Sequence, residues 1–202
     1  MKKMLFVVGL ALAMPVAAQA PAPASKDAAT VQAGRYALDK DHARIIWAID
    51  HLGLSTYYGS FQKIDAAITL DPKAPAKSSV EVTIDTTSIS TNHDELESHL
   101  KGDKWFDVAK FPTATFKSTS VTPGADGTAT VVGNLTLHGV TKPVTLEVRL
   151  HGHGMHPMLK KAAIGFDAKT KFKRSDFGIS AYVPMVGDEV SLKFSGEFLK
   201  AD

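Results

Sequence analysis

The sequence contains no cysteine, and this absence excludes a disulfide framework, thiol catalysis and lipid attachment through a cysteine. It also lacks a glycine-rich phosphate loop and an excess of charge, with 23 Lys and Arg against 21 Asp and Glu. Lys2 and Lys3 are the only charged residues among the first twenty, so the remaining 21 basic residues equal the 21 acidic ones. A chain with this balance and no basic run has no electrostatic footprint for nucleic acid.

Residues 1–20 show the three parts of a cleaved export signal. Lys2 and Lys3 form a positive start, residues 4–13 are apolar apart from one glycine, and residues 18–20 have the small-x-small pattern of a cleavage site. The apolar run is shorter than the ~20 residues that span a bilayer, which argues against a membrane anchor. We therefore predict a signal over residues 1–20, export to the periplasm, a flexible Pro/Ala-rich lead-in over residues 21–33, and one domain over residues 34–202.

From residue 34 onward, apolar and polar residues alternate in runs typical of antiparallel strands. In residues 79–85, for example, Val80, Val82 and Ile84 fall on one face, and residues 143–150 and 190–198 alternate in the same way. Only residues 92–101 have a helical pattern, with Asn92 as the expected cap and Leu96 and Leu100 on one face. Gly139 is predicted to lie in a hairpin turn. Further strands are expected over residues 34–39, 43–51, 60–71, 113–121, 128–138 and 162–173.

Eight or nine strands with one apolar face predict either a two-sheet sandwich or a closed barrel. The strands at residues 60–71, 162–173 and 188–200 are long, which favours the tilted strands of a barrel. We therefore expect an all-β antiparallel barrel of about eight strands with one short helix at its side or mouth. Such a barrel encloses one small ligand or is filled by its own side chains, and the residues alone leave both alternatives open.

Two patterns raise the question of a metal or catalytic site. His151, His153 and His156 lie in the segment HGHGMH, where extended spacing would turn the first two the same way, but a Gly/His-rich loop explains them equally simply. Ser180 follows Gly178 as in a nucleophile elbow, yet Tyr182 replaces the final glycine and no strand–helix context surrounds it. We therefore predict no catalytic residues and no metal ligands, and leave open whether the histidines bind a metal.

Short motifs in a fixed order resemble the YceI-like family of periplasmic polyisoprenoid-binding proteins. The motifs begin with Leu38-Asp39 and His42, continue through residues 51–53 and 59–61, and are strongest over residues 133–144, which read GNLTLHGVTKPV. They end with residues 174–178, RSDFG, so that the resemblance covers residues 36–199, nearly the whole predicted domain. Ala43 departs from the serine that the family usually has there.

The resemblance implies an extended lipocalin-like barrel that holds an isoprenoid lipid, a quinone tail or a similar amphiphile along its axis, and no catalytic cofactor. Its headgroup would meet polar residues such as His51, Asn92, His99, or Arg174 with Asp176, although the last two would also serve simply to hold a turn. The candidate lipid-contacting residues are apolar side chains on the predicted strands and helix: Ile45, Trp47, Ile49, Leu52, Phe61, Val82, Ile84, Leu96, Leu100, Phe106, Phe116, Leu135, Phe166 and Phe194.

The expected function is therefore that of a non-catalytic periplasmic binding or carrier protein for a long-chain isoprenoid lipid. Two alternatives stay open: an envelope stress or accessory protein with a protein partner, and an enzyme acting on an isoprenoid or acyl substrate. Transient contact with the membrane or with envelope proteins, and a homodimer, are compatible with each of them. Small residues among the apolar ones, namely Ala48, Gly133, Gly165 and Gly196, are candidates for leaving space inside the barrel.

Overall fold

A computed structural model describes residues 24–201, and the predicted export signal lies outside this range. Within it the chain forms ten strands, one α-helix and short 3-10 turns. No helix among these residues is long and apolar enough to cross a membrane. The strands and helix are β1 (Gly34–His51), β2 (Ser55–Phe61), β3 (Ile64–Leu70), β4 (Ser79–Asp85), β5 (Ile89–Ser90), α1 (Asp94–Leu100), β6 (Thr113–Pro123), β7 (Thr128–Leu137), β8 (Val140–Met155), β9 (Ala162–Lys173) and β10 (Val186–Lys200).

Eight strands close into an antiparallel barrel, in the order β1, β3, β4, β6, β7, β8, β9 and β10, with β10 returning to pair with β1. Strand β1 pairs with β3 through its first residues and with β2 through its second half. Strands β2 and β3 are separated only by residues 62–63, so together they act as one bent strand along β1. The predicted all-β barrel with a single helix is thereby confirmed.

The barrel has two ends that differ in construction. One end, which we call the upper end, is formed by residues 25–33 and by the loops at residues 71–78, 124–127 and 156–161. The lower end is formed by residues 52–54, 91–112, 138–139 and 174–185, and it carries α1. The predicted flexible lead-in belongs to the upper end, where its described part includes a 3-10 turn at Ala28–Thr30.

Four local differences separate the sequence pattern from the structure. The run predicted as one strand over residues 60–71 is divided between β2 and β3 at residues 62–63. Strand β1 runs unbroken across residues 40–42, because a bulge between Leu38 and Ala43 absorbs these polar residues without ending the pairing. Residues 151–155 belong to β8 and are not a loop, because they pair with β9. The cap of α1 is His93, whose Nδ1 accepts from the Leu96 amide at 3.2 Å, and Asn92 instead takes a left-handed conformation with φ of 57°.

The hairpin between β7 and β8 shows why the predicted turn at Gly139 is tight. His138 and Gly139 both have positive φ, 51° and 74°, as a two-residue type I′ turn requires. A Cβ atom on Gly139 would lie 2.6 Å from the Phe111 ring, so the position accepts only glycine without rearrangement. The predicted hairpin is confirmed, and it fixes the register of two strands that line the barrel interior.

Candidate ligand-binding cavity

The upper half of the barrel encloses an apolar cavity of about 470 Å³ that opens at the upper end. Alternation along each strand turns every second side chain inward, so the same residues that predicted strands also build the wall. This volume falls within the ~300–1,000 Å³ typical of small-molecule sites. The wall includes Ile45, Ile68, Val82, Ile84, Phe116, Val131, Leu135, Val144, Leu146, Val148, Leu150, Ile164, Phe166, Ala168, Phe172, Leu192, Phe194 and Phe198.

Glycines on the wall let aromatic rings lie flat against it. A Cβ atom on Gly133 would collide with the Phe116 ring, and one on Gly196 would lie 2.5 Å from the tip of the Phe194 ring. Because no side chain occupies these two positions, both rings spread over the backbone and leave the axis of the barrel empty. The predicted space-making role of small residues therefore fits these two glycines.

The other two small residues face outward. In β1, Ile45 and Ile49 are buried in the core, so Ala48 lies on the opposite side of the strand. A Cβ atom on Gly165 would meet His151 at 3.5 Å, on the outer side of β8, whereas its neighbours Ile164 and Phe166 line the cavity. Neither position borders the cavity.

A strap formed by residues 25–31 crosses the mouth of the cavity. Ser25 and His153 exchange two backbone hydrogen bonds of 2.8 Å, and His153 Nε2 donates to the Asp27 carbonyl at 2.9 Å. The strap then places Ala28, Ala29 and Val31 against the cavity. His153 thus holds the strap in place across the opening of the barrel, although the two are far apart in the sequence.

Apart from Lys169 and Thr170 of β9, the polar residues that line the cavity gather at its mouth. Asp71, Ser78 and Thr128 line this region of the cavity. The Asp71 carboxylate accepts from the amides of Lys73 and Ala74, both at 3.0 Å, and Ser78 Oγ accepts from the Asp71 amide at 3.1 Å. The mouth therefore offers oxygen atoms held in place by the loop, above a wall of aliphatic and aromatic side chains.

The lower half of the barrel is filled by side chains. Phe177 packs edge-on beneath Phe172 on the cavity floor, with ring centroids 5.3 Å apart, and Phe61 packs against Phe106 at 5.6 Å. The indole N–H groups of Trp47 and Trp105 are buried there without a hydrogen-bond partner in the described part of the chain. A buried donor of this kind suits a water molecule or a ligand oxygen.

The structure divides the fourteen candidate lipid-contacting residues into two equal groups. Seven line the cavity: Ile45, Val82, Ile84, Phe116, Leu135, Phe166 and Phe194.

The other seven belong to the lower half. Ile49, Phe61 and Leu100 are buried core residues, and Trp47, Leu96 and Phe106 pack partly buried against that core. Leu52 is 51% exposed in the turn between β1 and β2. Alternation identified the inward face of a strand but not the height of a residue along the barrel axis, so it selected upper and lower residues alike.

Several cavity residues were not among the candidates. Val144, Leu146 and Val148 lie on the apolar face of an alternating run, so the sequence did carry a signal for them. The strap residues Ala28 and Ala29 had no such signal, because a Pro/Ala-rich segment without periodicity gives no indication of where it packs.

The candidate headgroup residues all lie in the lower half, away from the mouth. His51 is near Tyr57, with ring centroids 6.3 Å apart, and His99 is near Trp105 at 6.1 Å. Asn92 is exposed just before α1. The structure does not bring these residues to the opening of the cavity.

Arg174 is buried and holds the lower end together, while Asp176 is exposed. The Arg174 guanidinium donates to the carbonyls of Gly187, Ile179, Ala181 and Val186 at 2.8–2.9 Å. It also lies over the Trp105 ring, 5.2 Å from the centroid. Burial lowers the pKa of Arg174, although a guanidinium stays charged in proteins. The predicted turn-holding role belongs to Arg174, through backbone carbonyls and not through Asp176.

The three histidines of the HGHGMH segment have separate partners. His151 Nδ1 lies 3.1 Å from Asp167, His153 binds the strap, and His156 Nδ1 accepts from the amides of Met158 and Leu159. No group of three potential ligands for a metal occurs among residues 24–201. Ser180 is exposed in the irregular segment after Gly178, where no helix follows. The arrangement as a whole is suited to binding an apolar ligand.

Comparison with known proteins agrees with this architecture. A family model described as the YceI-like domain matches residues 36–198. A UPF0312 protein of Yersinia enterocolitica is 46% identical over 176 residues, covering 86% of this chain and 91% of the relative. A UPF0312 protein of Yersinia pestis is 46% identical over 172 residues, covering 84% of this chain and 88% of the relative.

Solved structures show the same barrel. Burkholderia cenocepacia BcnA superposes with a TM-score of 0.72 at 27% identity, covering 79% of this chain and 98% of that one. The Campylobacter jejuni YCEI protein superposes with a TM-score of 0.68 at 28% identity, covering 76% of this chain and 90% of that one. A polyisoprenoid binding domain from Saccharophagus degradans superposes with a TM-score of 0.62 at 16% identity, covering 84% of this chain and 100% of that one. At this identity the likeness shows a shared fold.

Proposed function

The chain belongs to the YceI-like family, and we propose that it is a non-catalytic binding or carrier protein for an amphiphile with a long isoprenoid tail. The single observation that carries this proposal is the apolar cavity of about 470 Å³, open at the upper end of the barrel. The tail would occupy the cavity, and the headgroup would stay at the mouth beside Asp71, Ser78 and Thr128. The name of the Saccharophagus degradans domain, which shares the fold, is consistent with such a ligand.

The free energies favour a long tail. Burying a methylene group contributes about 0.8 kcal/mol, so a tail of about fifteen carbons gains roughly 12 kcal/mol. Association costs an estimated 4–15 kcal/mol in lost freedom of motion, so shorter tails would bind weakly. Since the wall is apolar, this burial is the main source of affinity, and a quinone tail or a polyisoprenoid alcohol would serve equally well.

The predicted export signal supports a periplasmic location for this activity. Residues 1–20 contain a positively charged start at Lys2 and Lys3, an apolar run and a small-x-small cleavage site. We propose that the mature protein acts there. N-terminal sequencing of protein recovered from a periplasmic fraction checks both the cleavage site and the location.

Extraction of the natively produced protein tests the ligand. Organic extraction followed by mass spectrometry should yield a long-chain isoprenoid lipid at near-stoichiometric amount. Ala168→Phe places a ring inside the cavity wall, and we expect it to reduce the extracted lipid at least fivefold with an unchanged β-sheet circular dichroism spectrum.

Ala48→Phe is the matched control, because the same substitution is made on the outer side of β1 and should leave loading intact. Wild-type protein that yields no lipid and binds no added isoprenoid would overturn the proposal. Equal loading of both variants would overturn the placement of the tail in this cavity.

A further inference from the structure

The hairpin between β8 and β9 projects three large apolar side chains into solvent at the upper end. Met155 is 59% exposed, Met158 is 82% exposed and Leu159 is 52% exposed. Because exposed apolar side chains that cluster on one loop tip are unusual, this group calls for a partner. We call residues 155–161 the hairpin tip.

Four backbone amides of the hairpin tip donate to acceptors within it. Lys160 donates its amide to the His156 carbonyl at 3.0 Å, and His156 donates to the Lys161 carbonyl at 2.8 Å. The amides of Met158 and Leu159 donate to His156 Nδ1 at 3.3 and 3.2 Å. Since an unpaired amide is costly in a low-dielectric region, these four hydrogen bonds lower the cost of placing the turn at a membrane interface.

The hairpin tip is continuous with the mouth of the cavity. His153, two residues before it, holds the strap that crosses the opening through Ser25 and Asp27. The strap in turn lines the cavity with Ala28 and Val31. A surface that covers the hairpin tip therefore also faces the opening through which an apolar tail would pass.

Charge distinguishes the two ends of the barrel. The upper-end segments carry five lysines against three aspartates, and the lower-end segments carry six acidic residues against four basic ones. The lower end exposes more apolar side chains than the hairpin tip, but its segments carry the acidic excess; these side chains are Leu52, Leu54, Tyr182, Val183 and Met185. Lysines near an anionic membrane surface contribute attraction, and acidic groups repel it. The upper-end lysines are Lys26, Lys73, Lys77, Lys160 and Lys161.

We propose that the hairpin tip docks on a bilayer containing anionic lipids, with its methionine and leucine side chains in the interface and the cavity mouth turned towards the membrane. This inference rests on the proposed function, because docking would serve to load and unload the bound lipid. Three apolar side chains and a few lysines give weak, reversible binding, as a carrier that must leave the membrane again requires.

Single-cysteine labelling tests the docking directly, because the chain has no cysteine of its own. Met158→Cys and Leu54→Cys place an environment-sensitive fluorophore on the upper and lower ends, at side chains that are 82% and 83% exposed. With vesicles of phosphatidylethanolamine and phosphatidylglycerol, the label at residue 158 should shift to shorter wavelength and brighten, and the label at residue 54 should not. Vesicles of phosphatidylcholine alone should give a weaker response.

Substitutions on each end provide a second measurement. Met158→Asp with Leu159→Asp should weaken vesicle binding at least tenfold, and Lys160→Glu alone should weaken it at least fivefold, since each lysine contributes about fivefold. Val183→Asp with Met185→Asp makes the same change at the lower end and should leave binding unchanged. All four side chains are exposed, so thermal unfolding should confirm that the fold is retained.

The outcomes separate this proposal from the proposed function. Cavity-blocked Ala168→Phe should still bind vesicles, and the hairpin-tip variant should still bind a soluble isoprenoid in the absence of vesicles. No vesicle binding by the wild type, or a spectral shift at residue 54 and not at residue 158, would overturn the docking surface. A shift at residue 158 that grows with protein concentration without vesicles would instead assign the hairpin tip to self-association and would equally overturn it.

Discussion

Arg174 shows how one residue of a sequence motif serves the fold and not the ligand. Its guanidinium supplies hydrogen bonds to four backbone carbonyls of the chain that closes the lower end. Two of those carbonyls, at Ile179 and Ala181, lie outside the strands, and the other two lie at the start of β10. A planar group with five donors suits this arrangement better than an ammonium does. The motif over residues 174–178 is therefore a structural feature.

Replacing Arg174 should destabilise the protein strongly. Arg174→Met keeps much of the packing against Trp105 but leaves buried carbonyls without donors, so we expect the free energy of unfolding to fall by about 3–5 kcal/mol. Arg174→Lys should recover less than half of that loss, because an ammonium cannot reach all four carbonyls. Urea denaturation measures the change. Arg149→Met, on the exposed outer wall, should stay within about 0.5 kcal/mol of the wild type, and an Arg174→Met loss as small as this would contradict the assigned role.

Asp39 and His42, the first residues of the family motif, also act locally. His42 Nδ1 lies 2.9 Å from Asp39 Oδ2, and the Asp41 amide donates to the same carboxylate at 3.1 Å. These contacts fold the bulge that lets β1 continue from Leu38 to Ala43. The hydrogen bond with Asp39 raises the pKa of His42, and the hydrogen bond with His42 lowers the pKa of Asp39.

This pair should make stability depend on pH in a defined window. The raised pKa of His42 gives stabilisation that is complete below the unfolded value, about 6.5, and is lost as pH rises through the folded value. The lowered pKa of Asp39 gives stabilisation that is present above about 4 and is lost as pH falls. The Tm difference between wild type and His42→Ala should therefore be largest near pH 5 and smaller at pH 8.5. An Asp39→Asn background should remove most of this dependence, since Glu197 and Asp41 make only smaller contributions to the pKa of His42, and a pH-independent difference would contradict the pairing.

At the scale of elements, the sequence predicted most strands because alternation is a local property of the chain. The run from Val80 to Ile84 was found in this way, and the hairpin was found from the glycine at its turn, Gly139. Where the local sequence pattern and long-range contacts favour different conformations, pairing with a neighbouring strand determines the conformation. Residues 151–155 look like a loop, yet β9 offers them partners and they extend β8. His93 replaced Asn92 as the cap because Asn92 takes the left-handed turn that leads into α1.

The strap is the element whose effect on ligand exchange can be measured. His153→Ala removes the donor to the Asp27 carbonyl and loosens residues 25–31 over the mouth. Since one hydrogen bond contributes about 1 kcal/mol, we expect a bound isoprenoid to dissociate about threefold to tenfold faster. Stopped-flow displacement of a fluorescent isoprenoid measures the rate, and faster proteolytic cleavage within residues 25–31 is a second readout that needs no ligand.

His151→Ala is the control for the strap, because its ring contacts Asp167 on β9 and lies outside the hydrogen bonds of the strap. Both histidines lie on β8 and are two residues apart, so the comparison isolates the contact with residues 25–31. Equal dissociation rates and equal cleavage in the two variants would show that His153 does not hold the strap in place.

For the whole molecule, the division of the interior is the feature that sequence could not supply. Trp47 and Ile45 share one face of β1, yet Ile45 lines the cavity and Trp47 packs in the lower half. Their heights along the axis depend on the tilt of the strands and on residues such as Phe177, which come from distant parts of the chain. The result is a barrel with a filled base, which supplies stability, and an empty upper half, which has apolar surface still to bury.

That empty half makes the stability of the whole molecule depend on its ligand. A ligand that binds only the folded state at about 100 times its Kd adds roughly 2.7 kcal/mol. For a domain of this size, each kcal/mol raises Tm by about 2–4 °C, so a soluble isoprenoid such as farnesol should raise the Tm of delipidated protein by about 5–10 °C. Ala168→Phe should itself show little of this increase, because its cavity is already occupied, whereas Ala48→Phe should respond as the wild type does. Scanning calorimetry of the three proteins with and without farnesol checks this, and an equal rise in all three would place the binding outside the cavity.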